Sequence, residues 1–188
     1  MNIIFFGSAK FGCESLKGLI EAGYKIPLVV TQADKQKGRG LKLGSTPIKE
    51  LAQDARLRIF QPENVNASDS LSLLRSFNPD LFVIIAYGQK FSPELLAIPK
   101  IMPINVHASL LPKYRGAAPI NWAIINGDRH TGNTIMQVIP QMDAGPIISQ
   151  SRVAIEDTDD SLSLEEKLSQ DARVLLLRAI KEIDAHNL

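Results

Sequence analysis

A single cysteine, Cys13, stands among the 188 residues. No disulfide can therefore form within the chain, and a metal site built on cysteine alone is excluded. In a predicted helix Cys13 is expected to be a small buried apolar residue, with a reactive thiol as the alternative. Long hydrophobic runs are missing as well: none approaches the roughly 20 apolar residues that a membrane span needs. The opening apolar run through Phe6 has no basic flank and meets Gly7-Ser8 at once, so it reads as a buried strand and not a leader. A cytoplasmic protein without membrane contact is expected. Nor does one sign of charge prevail, because 21 Lys and Arg against 20 Asp and Glu leave a net charge of +1. That balance gives no global pull toward nucleic acid, so any RNA contact must come from a local patch. Of three histidines, His130 and His186 have no partner at metal-ligand spacing and are expected to face solvent; no metal is expected. Internal repeats and low-complexity segments are absent. The first turn, Gly7-Ser8-Ala9-Lys10-Phe11-Gly12, is neither the dinucleotide G-x-G-x-x-G nor a Walker loop.

With 45% apolar residues, the chain suits one domain with a sizeable core. Residues 2–6 form a continuous apolar run, the mark of a strand covered on both faces, and a helix follows from about Phe11 to Ala22. Residues 26–32 give a second strand with Pro27 near its start, where a missing N–H does least damage. Between Asp34 and Pro47 four cations, Lys35, Lys37, Arg39 and Lys42, lie among Gly38, Gly40 and Gly44. Such a loop is mobile and able to approach a polyanion closely, and equally a solvated surface loop. Pro47 starts a helix, residues 57–60 a short strand, and residues 68–77 another helix. Asp80 to Ala86 is the most apolar run and the expected central strand, ending at Tyr87-Gly88. A short helix after Pro93, a strand before His107 and a helix over 119–126 come next, the latter with Trp122 packed. Strands over 133–139 and 147–153 precede a long amphipathic helix. That helix is expected to start at Ser163 in an S-x-x-E capping box, with Leu164, Leu168, Ala172, Leu175 and Ala179 toward the sheet. Strands alternating with helices predict an α/β, Rossmann-like domain whose mostly parallel sheet carries helices on both faces.

The chemistry centres on I-N-V-H-A-S-L-L-P, residues 104–112. Strand alternation points Asn105 and His107 the same way. One face therefore holds an amide able to donate to an oxygen gaining charge, beside an imidazole able to carry a proton near neutral pH, a pairing that suits acyl transfer. The bland alternative is a hydrogen-bonded structural histidine. Ser109, Leu110, Leu111 and Pro112 turn the chain away and offer backbone groups and two leucines to a flat, partly apolar ligand. Ser109 lacks the glycine-flanked elbow of a hydrolase nucleophile. Ligands of parallel sheets collect beyond the carboxyl ends of the strands, which brings Ala86, Tyr87 and Gly88 beside this stretch, although Tyr87 could equally be a surface aromatic. Asp143 precedes Ala144-Gly145, where an aspartate ordinarily supports its own turn.

N-V-H-A-S-L-L-P-K-Y-R-G-A-A-P closely resembles the signature of the 10-formyltetrahydrofolate-dependent formyltransferases, and M-D-A-G-P-I resembles the family's second signature, where the aspartate lies against the strand-end histidine. The resemblance covers essentially the whole chain. It implies a catalytic trio of Asn105, His107 and Asp143, with Asp143 orienting the imidazole. It also implies a pterin ring against the backbone of Ala86, Tyr87 and Gly88 and the Ser109–Pro112 turn, and no metal. The K-G-R-G-L-K-L stretch looks like the insertion by which tRNA-acting members reach the acceptor stem, so Arg39, helped by Lys35, Lys37 and Lys42, becomes the expected tRNA contact. The implied reaction is transfer of a formyl group from 10-formyltetrahydrofolate to the free amine of initiator methionyl-tRNA, by a monomer. TRNA-acting members also carry a C-terminal β-barrel that this chain does not reach. The alternatives are a formyltransferase acting on a small amine, such as an amino-sugar nucleotide or glycinamide ribonucleotide, and an isolated domain that binds folate or RNA or hydrolyses the formyl folate.

Overall fold

The structure, a computed structural model, describes residues 1–37 and 42–186. Its frame is a seven-stranded sheet in the order β5-β2-β1-β6-β7-β8-β9. The strands are β1 (Asn2–Gly7), β2 (Lys25–Val30), β5 (Ile59–Phe60), β6 (Leu81–Ile85), β7 (Met102–His107), β8 (His130–Gln137) and β9 (Ile147–Ala154). Strands β5 through β7 run parallel, while β8 and β9 are added antiparallel. The expectation of a mostly parallel sheet holds, and β6 lies at its centre, as its uninterrupted burial requires.

Period-two alternation divides the core between the two faces. On β1, Ile3 and Phe5 join one cluster with α1 (Cys13–Glu21), α2 (Pro47–Asp54) and α6 (Ser161–His186); Ile4 and Phe6 join the other with α3 (Ser68–Ser76) and α4 (Pro93–Leu96). Each such side chain, fully buried, contributes about 1.5–3 kcal/mol. Strand β2 breaks the alternation once: Ile26 and Val29 share a face although three positions apart. The β1–β2 register shifts between Asn2 and Ile4, where Lys25 and Leu28 are the partners, so one extra residue is spent at Pro27. A proline lacks the N–H that regular pairing would use, and the bulge placed there restores the phase for Leu28 and Val30.

Several expectations require correction. The first helix opens as a 3-10 turn, Lys10–Gly12, before α1. The glycine- and lysine-rich stretch after Asp34 is not wholly loop, because β3 (Lys35–Lys37) pairs antiparallel with β4 (Lys42–Gly44) as a separate ribbon. Backbone pairing forms even where Lys37 stands opposite Lys42 in register, so cation density alone does not decide loop against strand. Arg39, with Gly38 and Gly40, lies outside the described residues, as do the side chains of Lys37, Lys42 and His186. Helix α6 starts two residues before Ser163. Its cap is Asp160, whose carboxylate accepts from the N–H groups of Leu162 and Ser163 at 3.0 and 2.8 Å, and the Ser163 hydroxyl in return accepts from the Asp160 N–H. The reciprocal capping logic is as expected, displaced by three positions. Trp122, on α5 (Pro119–Ile125), is half exposed instead of packed; only Ala123 of that helix is buried, with Ile120 and Ile124 against the core. Cys13 is half-buried and free. His130 is exposed.

Candidate active site

Strand β7 sets the first two groups. Ile104 and Val106 enter the core on the α6 side, which turns Asn105 and His107 to the other face, and both line a cavity of about 820 Å3. The cavity opens beyond the carboxyl ends of β1, β6 and β7, with Ala9, Ala86 and His107 on its walls. Neighbouring strands connect in opposite directions there, which is where open parallel sheets leave a crevice. Asn105 makes no side-chain hydrogen bond among the described residues, so its amide is available to a ligand. His107 is 7% exposed. Its Nε2 lies 2.8 Å from the carbonyl oxygen of Tyr114. A carbonyl only accepts, so Nε2 carries the proton and Nδ1 is the nitrogen left to the site.

Nδ1 faces Asp143, whose Oδ2 is 3.6 Å away. That spacing is too long for a hydrogen bond, and it becomes an ion pair when the imidazole takes up a proton. The same Oδ2 accepts from the Gly116 N–H at 2.8 Å. Asp143 thus does more than brace its own turn: its oxygen reaches across 27 positions of sequence. The turn is positioned by β8 and β9, where the Gln137 N–H donates to the Pro146 carbonyl at 2.9 Å. Gly145 is obligatory in that approach, since a Cβ there would sit 1.8 Å from the Gln137 carbonyl oxygen.

The third wall is the turn after β6. Ala86 and Gly88 both adopt left-handed backbone, and a Cβ on Gly88 would lie 2.3 Å from the Gln32 side-chain nitrogen. Tyr87 is not a surface aromatic; it is 2% exposed, its ring packed edge-on to Phe6 and Phe91. Its buried hydroxyl has no partner among the described residues, and burial pushes its pKa well above the usual tyrosine range. Its carbonyl accepts from the Ser8 hydroxyl at 3.1 Å.

The Ser109–Pro112 turn does not line the cavity. Ser109 is fully buried, its hydroxyl donating to the Lys113 carbonyl at 2.5 Å, which removes it as a nucleophile. Its carbonyl accepts from Thr134 at 2.6 Å, and Thr134 in turn accepts from the Leu111 N–H at 3.1 Å. Pro112 is exposed, after a cis bond from Leu111. The turn is fastened to β8 behind the imidazole. Lys35, exposed, donates to Gln32 at 2.9 Å and borders a second cavity of about 290 Å3. That cavity shares Ala9, Ala86, Tyr87 and Gly88 with the first, which places the β3–β4 ribbon beside the site.

Residue reasoning missed Tyr114 and Gly116, because both act through backbone atoms; the K-Y-R-G signature was their only trace. It also missed the wall supplied by Val138 to Gln141 and by Glu165 of α6. Among the described residues no group of three or more His, Cys, Asp or Glu could hold a metal ion, and no helix is long and apolar enough to cross a membrane.

A family model described as formyl transferase matches residues 1–180. The chain is 46% identical over 184 residues to a protein named methionyl-tRNA formyltransferase from Caldanaerobacter subterraneus subsp. tengcongensis, covering 97% of this chain and 60% of that relative. It is 47% identical over 182 residues to one of the same name from Thermodesulfovibrio yellowstonii, covering 97% and 59%. The chain therefore spans about three fifths of the length of these curated relatives. Among solved structures, a phosphoribosylglycinamide formyltransferase from Bacillus halodurans superposes with a TM-score of 0.82 at 22% identity, covering 100% of this chain and 97% of that one. A formyltetrahydrofolate deformylase from Pseudomonas syringae pv. tomato superposes at 0.74 with 20% identity, covering 95% and 59%. These structural likenesses establish the Rossmann-like fold.

Proposed function

The chain belongs to the formyl transferase family, and on that premise we propose that it transfers the formyl group of 10-formyltetrahydrofolate to the free amino group of methionyl-tRNA, the step that supplies formylated initiator for translation. The observation that carries the reading is the meeting of Asn105, His107 and Asp143 at one wall of a cavity of about 820 Å3. Small-molecule sites span roughly 300–1,000 Å3, so a pterin with its substituents fits. Ile84, Phe91 and Val138 give it apolar walls, and the main chain of Ala86 to Gly88 gives hydrogen-bonding edges. In this reading the Ser109–Pro112 turn serves the co-substrate by holding His107 from behind.

Addition of an amine to a formyl carbon puts negative charge on the formyl oxygen. Asn105 donates to that oxygen, a contribution typically worth about 10²–10³ in rate. His107 takes the proton of the attacking amine at Nδ1 and returns it to the folate nitrogen as the bond from that nitrogen to the formyl carbon breaks, typically worth about 10²–10⁴. Asp143 orients the ring and balances its charge. No covalent nucleophile is used, in keeping with the committed hydroxyl of Ser109. Lys35, beside the second cavity, receives the acceptor stem together with Lys37, Arg39 and Lys42, close to it in sequence. The enzyme works as a monomer in the cytoplasm without a metal.

The test is incubation with 10-formyltetrahydrofolate, with and without methionyl-tRNA. Formyl-methionyl-tRNA is the expected product; release of formate without an acceptor would replace transfer by hydrolysis. His107→Ala, Asn105→Ala and Asp143→Ala should each lose at least about tenfold in turnover, and parent-like turnover in any of them removes that residue from the mechanism. Arg39→Glu should weaken transfer to methionyl-tRNA while leaving folate binding intact; full transfer to methionyl-tRNA by that variant removes Arg39 as the tRNA contact, and transfer to a small amine that the substitution leaves intact would make the small amine the acceptor.

A further inference from the structure

The imidazole and the carboxylate of the site are both gripped by one short loop. Tyr114 gives its carbonyl to His107 Nε2, and Gly116 gives its N–H to Asp143 Oδ2, each at 2.8 Å. Tyr114 holds a left-handed conformation at φ +59°, which costs a side-chain-bearing residue about 1–2 kcal/mol. Something must hold the turn there. The Tyr114 hydroxyl donates to Asp128 Oδ2 at 2.8 Å and accepts from the Asn126 side chain at 2.8 Å. Both partners sit at the end of α5, where the Asp128 N–H donates to the Ala123 carbonyl and fixes the carboxylate's own base. Lys113 reaches both oxygens of the same carboxylate at 2.7 Å. The Lys113 ammonium and then the Tyr114 hydroxyl hold Asp128 below the usual carboxylate range, so it stays an acceptor throughout the neutral range.

We propose that Asp128 is a positioning residue: through the Tyr114 hydroxyl it locks the 113–116 turn, and the turn's carbonyl in turn locks His107 in the tautomer protonated at Nε2, leaving Nδ1 to face Asp143 and the reacting carbon. The inference rests on the assignment of His107 as the proton carrier, but its central claim concerns the tautomer and can be read without turnover. With Asp128 or the hydroxyl removed, Tyr114 relaxes from its left-handed conformation, its carbonyl leaves Nε2, and the ring gains the other tautomer. A displacement of the order of 1 Å in a catalytic group costs roughly 10²-fold in rate.

The experiment labels the histidines with 15N and records ring-nitrogen shifts of the 188-residue chain above the histidine titration, for the parent, Tyr114→Phe and Asp128→Asn. His107→Asn assigns the signals. The parent should show His107 as the Nε2–H form alone. Both variants should show a mixture, with turnover down about 10²-fold and KM for the formyl folate within about twofold. Asp128→Glu, which keeps the carboxylate, should recover part of the turnover. A single unchanged Nε2–H form in both variants overturns the inference, and so does a fall in turnover without a tautomer change, since that marks general loosening. If Asp128→Asn fails to fold, Tyr114→Phe, which deletes one oxygen, decides. A tautomer change in chains that never formylate methionyl-tRNA, the parent included, upholds the lock and refutes the proposed reaction instead.

Discussion

Gly145 offers the sharpest test of how Asp143 is delivered to the site. An alanine there would put its Cβ 1.8 Å from the Gln137 carbonyl oxygen, where real Cβ atoms keep at least 3.0 Å. The clashing atom is backbone, and the Gln137 N–H is also tied to Pro146 at 2.9 Å, so no side chain can swing aside. Relief requires the end of the β8–β9 pair to open by about 1 Å or more, and Asp143 lies two residues upstream. Its carboxylate would leave the Gly116 N–H and the imidazole together. We expect Gly145→Ala to lose roughly 10²-fold in turnover and about 1–3 kcal/mol in stability, the usual range for forced overpacking. Single-turnover formyl transfer to methionyl-tRNA measures the first, and urea unfolding the second. Because the alanine acts through Asp143, the double variant Gly145→Ala/Asp143→Ala should be no slower than Asp143→Ala alone. Parent-like turnover in folded Gly145→Ala, or fully additive losses in the double variant, would refute the reasoning.

Three further outcomes follow from the rest of the chain. Asp80 accepts from the Asn2 N–H at 2.6 Å and pairs with Lys100 at 3.1 Å, and the Asn2 bond before all else holds its carboxyl below the usual range. A depressed folded value means stability present above the unfolded value of about 3.9 and lost as pH falls through the folded one. Asp80→Asn should therefore cost about 1.5–3 kcal/mol at pH 7, and its urea midpoint should converge on the parent's below pH 4. Burial pushes the Cys13 thiol up, so at pH 8 a disulfide reagent should titrate it more slowly than free cysteine, and at the free rate in denaturant. Tyr87→Phe deletes a buried hydroxyl without a partner among the described residues; it should raise stability by up to about 1 kcal/mol in thermal unfolding, and a fall would reveal a bond to that hydroxyl.

The legible parts of the chain were those fixed by local periodicity. Alternation alone put Asn105 and His107 on one face, because Ile104 and Val106 had to enter the core. The stripe from Leu164 to Ala179 located α6 on the sheet for the same reason, and continuous burial located β6. What could not be read were contacts made by backbone atoms. Any residue's carbonyl could serve His107 as that of Tyr114 does, so composition carries no mark of it; the mark is a conformation, φ +59°. The place of the Ser109 turn was not legible either: Thr134, on a strand 25 positions later, draws it behind the imidazole. The lysine ribbon misled: repulsion argued for loop, yet β3 and β4 pair, with Lys35 opposite Gly44 and Lys37 opposite Lys42.

Backbone strain shows where the fold sacrifices stability for geometry. Among the described residues six non-glycines have positive φ: Arg56, Asn78, Ala86, Tyr114, Ala118 and Asp143. Arg56 and Asn78 follow the ends of α2 and α3, where left-handed residues close helices and satisfy their last carbonyls. The remaining four surround the cavity: Ala86, Ala118 and Asp143 line it, and Tyr114 holds its imidazole. Glycine would adopt these conformations without steric cost, but it would also leave each turn free to visit others. A side chain at a left-handed position costs about 1–3 kcal/mol and persists only where the surroundings over-determine it. Tyr114 shows how that is done, its hydroxyl tied to Asp128 and Asn126. Asp143 shows it again, its carboxylate tied to Gly116. In both, the side chain that makes the conformation costly also makes the contact that enforces it, which holds the imidazole and the carboxylate in place against each other.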